Sequence, residues 1–280
     1  MKVTMRVSAM FFMMVFLASC GGGPDGGDVI AVKGVEMVYV PGGTFVMGEA
    51  GAEQCTVTVK PFLIDKYEVT NAKFREFAKV FGIPFPVPTA YDDYPVIGQT
   101  WYMADAYSAW RNCSLPTEAQ WEYAARGTDG RKFPWGDKWD ATRANGNDDQ
   151  SAKDPALYGK KDGFPNVAPV GLFARGASPF GALDMAGNVW EWVGDWFAPL
   201  PKSAVVDYRG PVKGGAKCLR GGSFRLSSIN LRTIHRGFRE PGKSTPDIGF
   251  RCASPWPVPA EPSLLPVEIV PAGTDTVKIQ

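Results

Sequence analysis

The spacing of apolar residues, together with capping residues, predicts three helices, each beginning after a threonine. Phe74 and Phe77 lie on one face of the stretch that follows Thr70, which ends at Gly82. Threonine is a favourable N-cap, and glycine takes the left-handed conformation that ends many helices. A third stretch carries the capping-box pattern of a threonine followed three residues later by a glutamine. The predicted helices span residues 71–81, 101–111 and 118–126.

Shorter apolar runs predict strands near the N-terminal end of the body. Residues 35–46 indicate two short strands around Pro41-Gly42-Gly43, and residues 57–67 indicate another. From Gly127 onward the chain is rich in glycine, proline, asparagine, aspartate and tryptophan, with only brief apolar runs. Such a segment is held by specific side-chain contacts, disulfides or bound ions rather than by long regular elements.

The first residues have the layout of an export signal. Basic residues precede an apolar run at residues 9–18, which is too short for a permanent transmembrane helix. The run ends in Leu17-Ala18-Ser19-Cys20, which resembles a lipobox. We therefore predict a lipoprotein signal peptide at 1–19 and lipidation of Cys20. Simple secretion is the alternative.

Composition divides the rest of the chain into three parts. Residues 20–31 are mostly glycine, proline and aspartate at their start, which predicts a flexible tether. Residues 254–280 contain six prolines, which favours an extended C-terminal tail. The predicted folded domain is therefore 32–253. No repeat of solenoid period occurs.

Charge excludes some classes of partner. Removal of the signal peptide takes away two of the 30 basic residues and none of the 29 acidic ones, which leaves a net charge of −1. This balance does not favour nucleic acid or an anionic membrane surface. The predicted membrane attachment is the N-terminal lipid, and the location is a bacterial cell envelope. Glycine after Cys20 resembles signals for the outer membrane.

Seven ordered segments resemble the formylglycine-generating-enzyme, or sulfatase-modifying factor, family. They are MVYVPGGTFVMG (37–48), LIDKYEVTNAKFREF (63–77), LPTEAQWEYAARG (115–127), FPWGD (133–137), FGALDMAGNVWEWVGDW (180–196), LRGGSF (219–224) and PDIGFRCA (246–253). The resemblance covers about residues 35–253. It implies an α+β fold with low regular secondary-structure content, related to C-type lectins.

The same resemblance implies two calcium sites. Calcium binds six to eight oxygen ligands, which include carboxylates and backbone carbonyls. The first site would use Asp184, Gly187, Val189 and Glu191. The second would use Asn145, Gly146, Asp162 and Phe164. The alternative is that Asp184 and Glu191 cap turns or pair with arginines.

The chain departs from the family at the copper site. The enzymes bind copper through two cysteines placed shortly after the Arg-Gly-Gly-Ser segment, at positions that correspond here to about Leu226 and Leu231. No cysteine lies between Leu219 and Arg251. Copper(I) requires soft thiolate ligands, so copper and formylglycine chemistry are not expected. A displaced copper site at Cys218 and Cys252 is the alternative.

Four cysteines remain besides Cys20, and three pairings are possible in an oxidising compartment. The resemblance gives Cys252 a structural disulfide, but its usual partner position is Ser108. A bridge from Cys113 to Cys252 is one possible substitute, with Cys55 and Cys218 remaining.

The absence of the copper-binding cysteines favours a non-catalytic binding or scaffolding module with a protein or glycan ligand. Arg225, Arg232 and Arg236 form a candidate binding surface, because planar guanidinium groups bind anionic groups well. The alternative for each arginine is a structural ion pair. Two other functions stay open: a ligand-binding display protein of the type diversified by retroelements, and an enzyme of altered chemistry. His235 is the only histidine, which excludes metal sites built from several histidines.

Overall fold

The computed structural model describes residues 24–49, 51–147 and 162–259, so the predicted signal peptide and Cys20 lie outside it. Its helices are α1 (Asn71–Phe81), α2 (Trp101–Trp110) and α3 (Glu118–Arg126). The side chains of the three preceding threonines accept hydrogen bonds from the first turns of these helices, as predicted. The α3 cap is a complete capping box with Gln120. Helix α2 ends one residue earlier than predicted, because Arg111 is its C-cap.

Three sheets hold the strands of the described chain. Their bounds are β1 (Val29–Val32), β2 (Val35–Val40), β3 (Gly43–Gly48), β4 (Gln54–Val59), β5 (Phe62–Asp65), β6 (Trp190–Trp196), β7 (Val205–Val206), β8 (Lys217–Arg220), β9 (Gly237–Arg239), β10 (Ile248–Phe250) and β11 (Ala253–Pro255). The sheet orders are β1-β2-β5-β11, β10-β6-β8-β9 and β3-β4-β7. Pairing is antiparallel except between β10 and β6 and between β4 and β7.

The predicted strand at residues 57–67 is two strands that belong to different sheets. Strand β4 ends at Val59 and β5 begins at Phe62, with Pro61 between them. Proline has no backbone N–H to donate to a ladder, so it interrupts the pairing. Strands β2 and β3 are also separated into different sheets at the Pro41-Gly42-Gly43 turn. A Cβ on Gly42 would lie 2.8 Å from the carbonyl oxygen of Val59. The turn at which the chain passes from one sheet to the other therefore requires glycine at this position.

The folded body extends beyond both predicted boundaries. Strand β1 begins within the predicted tether and pairs with β2, and the N–H of Gly27 donates to the carbonyl oxygen of Tyr39 at 2.9 Å. Strand β11 enters the predicted tail and pairs with β5, and the ring of Trp256 packs edge-on against Tyr39 at 5.4 Å. Backbone hydrogen bonds at a sheet edge do not depend on apolar side chains, so composition does not reveal them.

The helices pack on different sheets and define two apolar cores. Residues of α1 and α2 pack with Trp192, Leu219 and Phe250 of the second sheet. Helix α3 places Trp121 against the third sheet and part of the first. None of the three helices in the described residues has the length and apolar character needed to cross a membrane.

Candidate functional site

The two positions that correspond to the copper-binding cysteines lie together in an apolar cluster. Leu231 is fully buried, and Leu226 is half-buried against the same group. We call this group the leucine cluster; its other members are Ala144, Ala186, Trp135 and Trp139. A Cβ on Gly222 would lie 2.5 Å from the side chain of Leu231, so the backbone packs closely around it. Hydrocarbon therefore occupies the place where the resemblance implies thiolates.

Buried ion pairs support the chain beside the leucine cluster. Arg220, at the end of β8, is fully buried and pairs with Glu122 of α3. The Arg220 guanidinium also donates to the carbonyl oxygens of Thr233 at 3.0 Å, Ile234 at 3.1 Å and His235 at 2.9 Å. Arg220 therefore fixes the backbone of residues 233–235 against α3.

The candidate arginines have three different environments. Arg236 donates two hydrogen bonds to Glu118, at 2.7 and 2.8 Å, and a third to Glu53 at 3.0 Å. Burial alone would raise the pKa of Glu118, but Arg236 and Arg220 hold it below its usual value. Arg236 therefore has a structural role through these ion pairs, and its assignment to a binding surface stays a prediction.

The other two arginines make fewer contacts with carboxylates. Arg232 pairs with Glu49 at 2.6 Å. The side chain of Arg225 is 53% exposed, and its nearest carboxylate is Asp247 at 3.9 Å. The structure therefore does not gather the three arginines into one group of free cations.

A second group of polar residues is buried behind the segment 184–191. Both carboxylate oxygens of Glu191 accept hydrogen bonds from Arg251, at 2.6 and 2.7 Å. The indole N–H of Trp121 also donates to Glu191, at 2.8 Å. Arg251 donates in turn to the carbonyl oxygen of Leu183 at 2.8 Å. These contacts connect β6, α3 and the residue that follows β10 through one carboxylate.

Two more acids lie close to Glu191. Glu68 accepts hydrogen bonds from the Asn188 side chain at 2.7 Å and the Val189 N–H at 3.3 Å, and Asp184 accepts one from the Gly171 N–H at 2.6 Å. Burial, together with the neighbouring carboxylates, raises the pKa of Glu68 well above its usual value. Burial raises the pKa of Asp184 to about 6.

We call Glu68, Asp184, Glu191 and Arg251 the acid cluster. Glu68 was not predicted as a site residue from the sequence. Its position between Tyr67 and Val69 was a usable signal, because an acid in a largely buried stretch needs polar partners.

The first predicted calcium site coincides with the acid cluster. When ionised, three buried carboxylates face one guanidinium, so their charge suits a divalent cation. The geometry suits it less, because Arg251 and Trp121 already engage both oxygens of Glu191. In the described ranges, no group of three or more acidic, cysteine or histidine side chains is arranged to hold a metal ion. An ion there would rely on carbonyl oxygens such as those of Gly187 and Val189.

The residues of the second predicted calcium site are also brought together. The carboxylate of Asp162 accepts hydrogen bonds from the N–H of Gly146 at 2.9 Å and the N–H of Phe164 at 2.8 Å. Asn145 is 1% exposed and donates its side-chain N–H groups to Asn166 and Asn188. Its Oδ1 atom is buried and accepts no hydrogen bond from the residues that the structure describes. A buried acceptor without a donor fits a cation.

The cysteines of the described residues are all free thiols, so the predicted bridge from Cys113 to Cys252 is absent. The Sγ atom of Cys252 lies 3.3 Å from the Oγ atom of Ser108, the position that has the partner cysteine in the family. Cys218 contacts Glu118 at 3.4 Å, and Cys55 donates to the carbonyl oxygen of Ser203 at 3.1 Å. Each of these buried thiols therefore contacts a polar group.

Comparisons with known proteins show which family the sequence matches. A family model described as "Sulfatase-modifying factor enzyme 1-like domain" matches residues 30–255. The chain is 32% identical to the formylglycine-generating enzyme of Streptomyces coelicolor, over 78% of this chain and 88% of that protein. It is also 32% identical to the mouse protein named "Inactive C-alpha-formylglycine-generating enzyme 2", over 78% of this chain and 85% of that protein.

Solved structures show the same fold. PvdO from Pseudomonas aeruginosa superposes with a TM-score of 0.67 and 27% identity, over 82% of this chain and 99% of PvdO. Treponema denticola variable protein 1 gives a TM-score of 0.61 over 81% of this chain and 98% of its own, and its 24% identity shows the fold alone. The chain therefore has the α+β, C-type-lectin-like fold and belongs to the sulfatase-modifying factor enzyme 1-like family.

Proposed function

We propose that this protein is a lipid-anchored member of the family that acts at the cell envelope as a non-catalytic binding or scaffolding module. The leucine cluster carries this proposal. Leu226 and Leu231 lie where two copper-binding cysteines are expected, and both pack against hydrocarbon. Leucine has no group that can bind copper(I) or pass an electron to oxygen.

The other thiols do not replace the missing pair. Cys218 is fully buried beside Glu118, and burial followed by the Glu118 charge raises its pKa. Burial likewise raises the pKa of Cys252 well above the usual value for a thiol. Metal binding requires the thiolate, which these surroundings disfavour. The relative named "inactive" has a similar degree of identity to this chain as the enzyme does, so family membership leaves both outcomes open.

The catalytic part of the proposal is tested with a sulfatase-motif peptide. We expect the protein neither to bind copper(I) tightly nor to convert the peptide cysteine to formylglycine, as followed by peptide mass. A formylglycine-generating enzyme assayed in parallel shows that the peptide and the copper are competent. Oxygen- and copper-dependent conversion by this protein would overturn the non-catalytic assignment.

The anchoring part depends on Cys20 and is tested separately. Cys20→Ala should abolish labelling with a fatty-acid probe and leave the protein unprocessed or soluble. Cys113→Ala is the matched control, because this residue also carries a thiol but lies inside the folded domain. Normal membrane fractionation of Cys20→Ala would refute lipid anchoring.

We also propose that calcium stabilises the domain at the two predicted sites. The support is the charge of the acid cluster at one site and the Asn145 Oδ1 atom at the other. Bound calcium would supply the positive charge that the three buried carboxylates lack, and it would order the loops that carry Asp162 and Asp184. Its role in this proposal is structural.

A further inference from the structure

A cavity opens between the end of β3 and the segment that follows the leucine cluster. Its volume is about 180 Å³, comparable to six or so water molecules at about 30 Å³ each, which is the size class of a free amino acid. Its charged lining consists of Glu49, Glu53, Arg232 and Arg236, and its apolar lining includes Ala52 and Ile234.

One of the two ion pairs in the cavity is structural. Glu53 accepts a hydrogen bond from the Leu200 N–H at 2.6 Å through one oxygen and from Arg236 at 3.0 Å through the other. Arg236 also binds Glu118 and the carbonyl oxygen of Ala198. Both oxygens of Glu53 and all three guanidinium nitrogens of Arg236 are therefore engaged, and this pair forms a fixed wall.

The other pair has unused hydrogen-bonding groups. Arg232 donates through Nε to the carbonyl oxygen of Ile229 at 2.9 Å and through Nη1 to Oε1 of Glu49 at 2.6 Å. Neither Nη2 of Arg232 nor Oε2 of Glu49 has a partner among the described residues. The Glu49 side chain is 49% exposed, so the pair is open to solvent and adds little to stability. A free cationic donor and a free anionic acceptor thus stand side by side.

The cavity wall is also balanced in charge, because two arginines face two glutamates. His235 does not change this balance, since burial and then the charges of Arg220 and Arg232 lower its pKa and keep the ring neutral near pH 7. A ligand with a net charge would have to displace Glu49 or Arg232 from their ion pair. A ligand with one charge of each sign would instead give Nη2 of Arg232 an acceptor and Oε2 of Glu49 a donor. Charge-assisted hydrogen bonds of this kind are stronger than neutral ones.

We infer that this cavity binds a small zwitterion, namely a free α-amino acid. Its carboxylate binds Nη2 of Arg232, its ammonium group binds Oε2 of Glu49, and a short apolar side chain packs against Ala52 and Ile234. The inference rests on the proposed binding function and names the ligand class for one part of the surface that contains Arg232. The site would act as a sensor or carrier of free amino acids at the cell envelope.

The test uses calorimetric titration of the purified protein in detergent. The probes are L-alanine and L-valine, with isobutyrate and isobutylamine as analogues of valine that lack the ammonium or the carboxylate. We expect L-valine to bind with millimolar or tighter affinity and each analogue to bind at least about tenfold more weakly. Arg232→Gln and Glu49→Gln should each weaken valine binding by at least about tenfold.

A matched control separates binding from folding. Arg75 also forms a partly exposed ion pair, with Asp92 at 2.7 Å, but it lies on α1 outside the cavity. Arg75→Gln should bind valine like the wild type, and all three variants should keep the wild-type melting temperature within about 4 °C. Binding that survives in Arg232→Gln, isobutyrate that binds as well as valine, or no heat from either amino acid at about 10 mM would overturn the inference. None of these outcomes alters the copper and formylglycine assays, so the two proposals fail separately.

Discussion

The leucine cluster and the acid cluster adjoin the same segment, residues 184–191, but they have opposite chemistry. Ala186 packs in the leucine cluster, while Asp184 and Glu191 belong to the acid cluster. The first has apolar side chains where the family resemblance implies metal-binding thiols. The second keeps three carboxylates in the interior, where burying each charge costs several kcal/mol unless it is paired. The residues expected to bind copper can therefore be replaced while the neighbouring buried carboxylates are kept.

The reason for the difference lies in what each group connects. Glu191 joins Trp121 of α3 to Arg251, and Glu68 holds the backbone at Val189. Replacing Glu191 would leave the Nε–H of Arg251 and the indole N–H of Trp121 without an acceptor, and replacing Glu68 would do the same to the Val189 N–H. Leu226 and Leu231 have no polar partner to lose, so their positions tolerate apolar residues at no cost in hydrogen bonds.

The largest expected effect is at Glu191. Glu191→Gln should lower the free energy of unfolding by about 3–5 kcal/mol, because it breaks the buried, doubly hydrogen-bonded ion pair with Arg251 and turns an amide N–H toward the guanidinium or the Trp121 N–H. Urea denaturation followed by tryptophan fluorescence measures it. Glu76→Gln, in the exposed pair with Lys73, is the control and should change stability by less than about 0.5 kcal/mol. A loss below about 1 kcal/mol at Glu191 would mean that the acid cluster is not a structural support.

Calcium removal should have the next largest effect. If calcium neutralises the acid cluster, a chelator should lower the melting temperature, and calcium at about 100 times its dissociation constant should add about 2.7 kcal/mol of stability. Asp184→Ala should remove most of the dependence that arises at the first site. Asp162→Ala tests the second site in the same way. A melting curve that is unchanged in chelator would contradict both predicted calcium sites.

The pH dependence of the free energy of unfolding, measured in chelator, tests the charge state of Asp184 in the acid cluster. Asp184 has a folded pKa of about 6, above its value in the unfolded chain, so between about pH 4 and 6 the folded state holds a proton that the unfolded state has lost. Its contribution to stability should therefore be greatest at low pH and be lost as the pH rises through about 6, by roughly 3 kcal/mol. Asp184→Asn should flatten this part of the stability curve, which guanidinium titrations at several pH values would show. An identical slope in the variant would contradict the raised pKa.

The smallest stability effect is expected in the leucine cluster. Leu226→Cys and Leu231→Cys should each cost about 1–2 kcal/mol through lost apolar contact. Only the double variant should gain copper(I) binding, because two thiolates are required. A competition assay with a copper(I) chelator measures it, and Leu219→Cys paired with Leu226→Cys is a control with the same number of thiols. Tight copper binding by either single variant would show that another ligand is present.

Much of the local structure was predictable because it depends on neighbouring residues. The threonine caps at Thr70, Thr100 and Thr117 and the break at Gly82 act within one helical turn, and all of them appear as expected. The strand from 57 to 67 was predicted wrongly, because the split at Pro61 depends on which sheet each half joins. The ends of the body were also misplaced, since edge strands β1 and β11 form through backbone pairing with distant segments.

The sequence by itself determined the family segments, the starts of the helices and the absence of cysteines between Leu219 and Arg251. Only the tertiary structure decided how the charges are used, because an ion pair joins residues far apart in the chain. Glu191 meets Arg251 and Glu118 meets Arg236, so one predicted calcium ligand is also an arginine partner and one predicted binding residue also has a structural role. Residue type sets which bonds a side chain can form, and the fold sets which partner lies within reach.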